Sequence, residues 1–312
     1  MNSLPAKVVL TGAGGQVGKE LISLSGEFNV QVVGMRHFEL DITNSVSISN
    51  ALNIHKPDVL VNTAAYTAVE KAESEIELAF EVNGYGAEIL AKICAERQIP
   101  LIHLSTDYVF DGKNKQPYTE MDTENPINVY GKSKYEGEKA IRSVLNEHII
   151  LRTSWVFGIH GHNFVKTLLK LQKKRAPLNI ISDAVGCPTA ASDIAMVIIH
   201  LVSQVFQKKR MQWGTYHYCG ANTTCWYSFA KEVFKTVSIA TGSHLPQIIP
   251  ISSEDYPSVI QRPANTALSC QKIKNVFGIS PCNWEKGVQK FQKLIMQETM
   301  KSKKIMKGKK NV

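Results

Sequence analysis

A tyrosine and a lysine stand four residues apart in VYGKSKYEGEKA, residues 129–140, as Tyr130 and Lys134. On a helix this spacing puts both side chains on one face, with Cβ atoms about 5–6 Å apart. A phenol ordinarily titrates near 10, and a neighbouring ammonium favours the phenolate and lowers that value. A lowering of about three units corresponds to roughly 4 kcal/mol, within reach of a desolvated site. The pair therefore reads as a general acid tuned by its neighbour; the alternative is a chance pair on a solvated helix surface. A third member is expected at the end of a strand, where IPLIHLSTDYVF supplies Ser105, Thr106 and Asp107. A hydroxyl there can hydrogen-bond both a substrate oxygen and the phenol, although an STD stretch is also good capping chemistry.

A binding loop stands near the N-terminus. TGAGGQVG places Gly12, Gly15 and Gly18 between a short apolar run and a helix-like segment. Gly12 suits the tight turn, Gly15 the close approach of a pyrophosphate, and Gly18 the packing of helix on strand. Helix N-terminal amides and the helix dipole would then stabilise the phosphates. An acid usually follows the second strand to hold the adenosine ribose of NAD, but GMRHFELD carries Arg36 and His37 there. A cation at that place pairs with a 2′-phosphate, which favours NADPH and leaves NADH as the second choice; the alternative is an exposed turn arginine. Asp41 follows, placed to meet the adenine edge.

The elements that position these residues read as an α/β chain. Apolar runs at the N-terminus and at 30–35, 57–65, 99–110 and 148–158 are continuous rather than alternating, as strands buried on both faces should be. Helical stretches at 44–54, 73–97 and 129–146 lie between them. This alternation predicts a Rossmann-like, doubly wound parallel sheet. After residue 158 the pattern loosens, with helices expected at 162–174, 193–207 and 225–237 and short strands near 178–181, 215–219 and 247–251. The expected division is a dinucleotide domain over 1–160, a smaller mixed α/β substrate lobe over 161–300 whose segments can cross back, and a basic disordered tail over 301–312.

Composition bounds the remaining classes. The 312 residues are 44% apolar and 20% charged, with a net charge of +9. Six of those excess charges are lysines in KSKKIMKGKKNV, leaving +3 on the body. This argues against a nucleic-acid partner and for an anionic small molecule. No apolar run approaches the roughly 20 residues of a membrane helix, and the start lacks a signal-peptide pattern. The six cysteines are scattered without a CxxC pair, as in a reduced, cytoplasmic protein.

The glycine loop, YxxxK and strand-end hydroxyl together resemble the extended short-chain dehydrogenase/reductase superfamily. The ordered segments GQVGKEL, PDVLVNTAAYTAVEKAE, STDYVFDG, NVYGKSKYEGEKA, LRTSWVFG, GCPT and QRPANTAL are similar to the dTDP-4-dehydrorhamnose reductase family, over roughly residues 6–295. That resemblance implies transfer of a hydride from NAD(P)H to the C4 ketone of a dTDP-linked 6-deoxy-4-keto sugar. The product would be dTDP-L-rhamnose, a precursor of cell-surface polysaccharide such as lipopolysaccharide. It implies Tyr130 as proton donor, Lys134 as its tuner and holder of the nicotinamide ribose, and Thr106 as the group orienting the carbonyl. Gln16 and Val17 join Gly15 along the pyrophosphate, Asp41 and Ile42 flank the adenine, and Ala64, Ala65 and Tyr66 lie along the cofactor. Trp155 would lie against the deoxysugar, Asp107 would bond a sugar hydroxyl, and Arg262 would meet the diphosphate or else form a salt bridge.

Family members can also bind Mg²⁺ through carboxylates at a dimer contact. Glu20 matches one such place, but Ser192 and Leu294 fall at the others and are unsuitable hard ligands. No metal is therefore expected, and the chain is expected as a monomer or as a homodimer held otherwise. Two rivals stand beside the main reading. One is a reductase or epimerase of another nucleotide 4-keto sugar. The other is a silent NADP-binding regulatory subunit, of the kind that accompanies methionine adenosyltransferase.

Overall fold

The computed structural model describes residues 4–174, 176–207 and 210–308, with side chains described as far as residue 296. The five expected strands form: β1 (Ala6–Thr11), β2 (Val30–Met35), β3 (Val59–Asn62), β4 (Leu101–Thr106) and β5 (His148–Thr153). With a sixth, Gly214–His217, they make a parallel sheet in the spatial order Gly214–His217, β5, β4, β3, β1, β2. Successive side chains of β1 enter opposite cores, as the pleat requires. Val8 and Leu10 pack with Val17, Leu21, Ile194 and Ile198, whereas Val9 packs with Ile48, Leu52 and Leu90. Helices α1 (Gln16–Ser25) and Ala191–Phe206 thus cover one face, and α2 (Ser45–His55), Gly86–Arg97 and Val129–Val144 cover the other. Burial on both faces is why these strands carry no polar alternation.

The segments expected in the lobe at 193–207 and 215–219 return to this sheet layer. The lobe has its own core, where Phe157, Val165 and Leu168 meet Phe229, Val233, Phe234, Trp284 and Val288. Two expectations are corrected. The single helix over 73–97 is broken into Val69–Ala72, Ile76–Phe80, a π-turn at Glu81–Tyr85 and Gly86–Arg97. The π-turn presents Asn83, whose amide bonds the Tyr66 backbone on both sides and donates to Ser133 Oγ. The tail is corrected in part: the last helix runs Trp284–Gly308, so 301–308 continue it, because lysine and methionine are good helix formers and no proline interrupts them. Residues 309–312 lie outside the described residues. Among the described residues no helix is long and apolar enough to cross a membrane.

The order of strands reverses between β1 and β3, which opens a crevice at their carboxyl ends. Gly12 turns there with φ +71°, and a Cβ on it would lie 2.5 Å from the Ala64 amide nitrogen. Both the left-handed backbone and the lack of room exclude a side chain. Gly12→Ala is expected to cost about 1–3 kcal/mol of stability. Thermal unfolding against wild type checks this, and an unchanged midpoint would refute it.

Candidate active site

The helix Val129–Val144 begins at Asn128, whose Oδ1 accepts from the Gly131 amide at 2.8 Å. Its Nδ2 donates to the Gln261 carbonyl at 3.1 Å, tying the helix start to the lobe. Gly131 makes a close approach: a Cβ there would sit 2.2 Å from the Tyr108 carbonyl oxygen. The helix therefore comes down directly beside the end of β4. Further along, the fully buried Glu138 accepts from Ser105 Oγ at 2.6 Å and from Arg152 Nε at 2.9 Å. Burial opposes the Glu138 charge, but Arg152, Ser105 and Arg142 hold its carboxyl below the usual range. Glu124 adds a second carboxylate to Arg152. This cluster bolts the helix to β4 and β5.

A cavity of about 960 Å³ runs from the glycine loop past Tyr130 to the lobe. Its wall contains Gly12, Gly15, Gln16, Val17, Gly18, Arg36, Asp41, Ile42, Ala64, Ala65 and Tyr66 at one end. Thr106, Asp107, Tyr130, Lys134, Trp155 and Arg262 complete it towards the lobe. Every candidate binding or catalytic residue named from the sequence thus faces one space. Gly15 stands at the N-cap of α1 in extended conformation with no side chain over it, so the first amides of the helix remain open to an anion.

The electrostatics correct one expectation. Loss of water around the Tyr130 phenol pushes it well above the usual tyrosine range; Thr106 opposes the rise, and Asp107 and Tyr108 add to it. Lys134 does not offset this, because its side-chain nitrogen is engaged elsewhere, 2.8 Å from the Leu104 carbonyl and 3.2 Å from His103 Nε2. Burial pulls Lys134 itself down to about 8, against the favourable charge of Glu138. Burial likewise pushes the Asp107 carboxyl up to about 7, against several hydrogen bonds. Thr106 Oγ1 donates to Asp107 Oδ1 at 3.0 Å, while the buried Asp107 Oδ2 has no partner among the described residues.

Arg36 is exposed at the rim, and its backbone amide, not its guanidinium, bonds Glu39. Arg262 takes the salt-bridge option: its guanidinium bonds Tyr108 Oη at 3.2 Å and Glu70 at 2.8 Å. Trp155 adopts a left-handed φ of +45° and donates to Thr266 Oγ1 at 3.1 Å. Its ring is stacked on Trp226, with centroids 3.5 Å apart and planes 9° apart. The cavity wall therefore carries a tryptophan pair rather than a lone ring. Sequence reasoning missed Trp226, Tyr108 and His162 on the wall. Tyr108 lay within the quoted STDYVF, whereas CWYSF gave no signal beyond helix. Glu20, Ser192 and Leu294 do gather around one small pocket, together with Lys290. Among the described residues no group of three or more metal-ligating side chains forms.

The model of the RmlD substrate binding domain matches residues 6–296. A dTDP-4-dehydrorhamnose reductase of Aggregatibacter actinomycetemcomitans is 39% identical over 291 residues, 92% of this chain and 98% of the relative. The crystal structure of a dTDP-4-dehydrorhamnose reductase from Clostridium acetobutylicum superposes with a TM-score of 0.86 at 33% identity, covering 93% of this chain and 99% of that one. A Bacillus anthracis dTDP-4-dehydrorhamnose reductase in complex with NADP gives 0.84 at 32% identity, covering 92% and 98%. By that span and those identities, the chain belongs to the dTDP-4-dehydrorhamnose reductase family, the family of the RmlD substrate binding domain.

Proposed function

We propose that this chain reduces the C4 ketone of dTDP-4-dehydrorhamnose with NADPH, releasing dTDP-L-rhamnose. The carrying observation is the single cavity that joins the open N-terminus of α1 to Thr106, Tyr130 and Lys134. The cradle fits a dinucleotide: Gly12 and Gly15 leave backbone exposed to the pyrophosphate, Arg36 faces the adenosine side, and Ala64 to Tyr66 offer a flat wall. NADPH, when bound, supplies the hydride. Tyr130, kept in its protonated form by burial, gives its proton to the C4 oxygen. Thr106 holds that oxygen in line and hydrogen-bonds the phenol. Lys134 holds the ribose and, as an ammonium, stabilises the phenolate left behind. The stacked Trp155 and Trp226 present an apolar face to the sugar ring, and Asp107 Oδ2 meets one of its hydroxyls. We place the reaction in the cytoplasm, in keeping with six free thiols.

The test is turnover of dTDP-4-dehydrorhamnose with NADPH or NADH, followed by loss of reduced-cofactor absorbance. NADPH consumption with formation of dTDP-L-rhamnose is expected. Turnover only of another nucleotide 4-keto sugar would transfer the assignment to that substrate. In the same assay Arg36→Ala should raise the KM for NADPH about tenfold and that for NADH little. Equal losses with both would remove Arg36 from the 2′-phosphate.

A further inference from the structure

Behind Lys134 lies a buried chain of polar side chains. Its ammonium nitrogen is 3.2 Å from His103 Nε2, and His103 Nδ1 is 2.9 Å from Asn62 Nδ2. Asn62 Oδ1 accepts from the Ala64 amide at 3.0 Å and from the Thr11 hydroxyl at 2.6 Å. Thr11, Asn62, His103 and Lys134 are each at most 1% exposed, so water cannot repair a mismatched contact.

The direction of these bonds follows from one backbone group. A backbone N–H can only donate, so the Ala64 amide fixes the oxygen of Asn62 on its own side. The Asn62 NH₂ must then donate to His103 Nδ1, which carries no hydrogen. A neutral imidazole with Nδ1 bare has its hydrogen on Nε2, facing Lys134. An ammonium has three hydrogens and no lone pair, so ammonium and Nε2–H would oppose each other across 3.2 Å. We propose that at mildly alkaline pH His103 holds Lys134 as a neutral amine in the ligand-free chain, accepting from Nε2–H and donating to the Leu104 carbonyl, and that entry of the dinucleotide drives a proton from solvent onto it.

The surroundings support this. Burial, the largest cause, pushes His103 well below its ordinary range, so it is not a cation. Glu138, on the same helix, is committed to Arg152 and Ser105. Tyr130 is protonated, and His148, on β5, is itself lowered by burial. An arriving diphosphate adds negative charge to the crevice and ribose hydroxyls that accept N–H bonds, both of which favour the ammonium. One N–H bond forms, and the proton comes from buffer. His103 is thus a positioning residue that confines the charge on Lys134, and with it the tuning of Tyr130, to the loaded state.

The inference rests on the dinucleotide reading, and its test separates the two. NADPH is titrated calorimetrically into the intact chain at about pH 8.5, in two buffers of different ionisation enthalpy. Wild type should take up about one proton per bound NADPH. His103→Gln offers a carbonyl oxygen to the ammonium, and His103→Asn keeps an acceptor for Asn62 without a donor to Lys134. Both should bind NADPH with uptake reduced towards zero. A purely structural role for His103 would change affinity and leave the proton count alone. Binding without uptake in wild type, or equal uptake in both variants, overturns the inference. A chain that binds neither NADPH nor NADH overturns the dinucleotide reading, and the proton uptake it was to drive falls with it.

Discussion

Tyr130→Phe is expected to lower kcat by about 10²–10⁴-fold while leaving NADPH affinity within a factor of about three. The substitution removes one oxygen and keeps the ring, so its edge-to-face contact with Tyr108, with centroids 5.7 Å apart, should survive. What is lost is proton donation to the C4 oxygen, together with the hydrogen bond to Thr106. Burial keeps the ligand-free phenol protonated far into the alkaline range, so the wild-type acid is fully loaded at neutral pH. Steady-state turnover and cofactor fluorescence titration on the same preparation check both halves. An unchanged kcat would remove Tyr130 from the acid role, and a joint collapse of binding and turnover would recast it as part of the cofactor wall.

The residues of this site were legible because each satisfies a local rule. Tyr130 and Lys134 share a helical face, and the glycine loop answers a backbone demand that few other stretches meet. What stayed hidden depends on partners far away in the chain. That the Tyr130 phenol is raised rather than lowered follows from its burial beside Asp107 and Tyr108 and from the engagement of Lys134 by His103. Trp226 reaches Trp155 only through the folding of the lobe. The strand Gly214–His217 is four residues long, and its partner β5 lies more than sixty residues earlier, so no local pattern marks where it pairs. The break in 73–97 reflects the demand of Tyr66 and Ser133 for Asn83, against a sequence that favours an unbroken helix.

Arg152→Met is expected to destabilise the chain by about 3–5 kcal/mol, because it leaves a buried carboxylate without its main counter-ion. For a chain of this size that corresponds to a fall in Tm of roughly 5–8 °C. Glu138 and Arg152 are both fully buried, so water cannot take the guanidinium's place. Adding Glu138→Leu to the same chain should recover part of the loss, since an apolar pair avoids the unpaired charge. The pH dependence has a defined sign. The Glu138 carboxyl is held below its ordinary value in the folded chain, so its contribution is complete above the unfolded value, near 4.3. It is lost as pH falls through the lower folded value. The gap between wild type and Arg152→Met should therefore narrow in acid. A penalty below about 1 kcal/mol at neutral pH would show that the ion pair is replaceable.

The strand Gly214–His217 completes the edge of a sheet whose other strands were all laid down before residue 160. The C-terminal lobe is therefore not a unit that could be lifted out whole. Removal of 161–300 would also strip β5 of its outer neighbour, exposing an unsatisfied ladder prone to self-association.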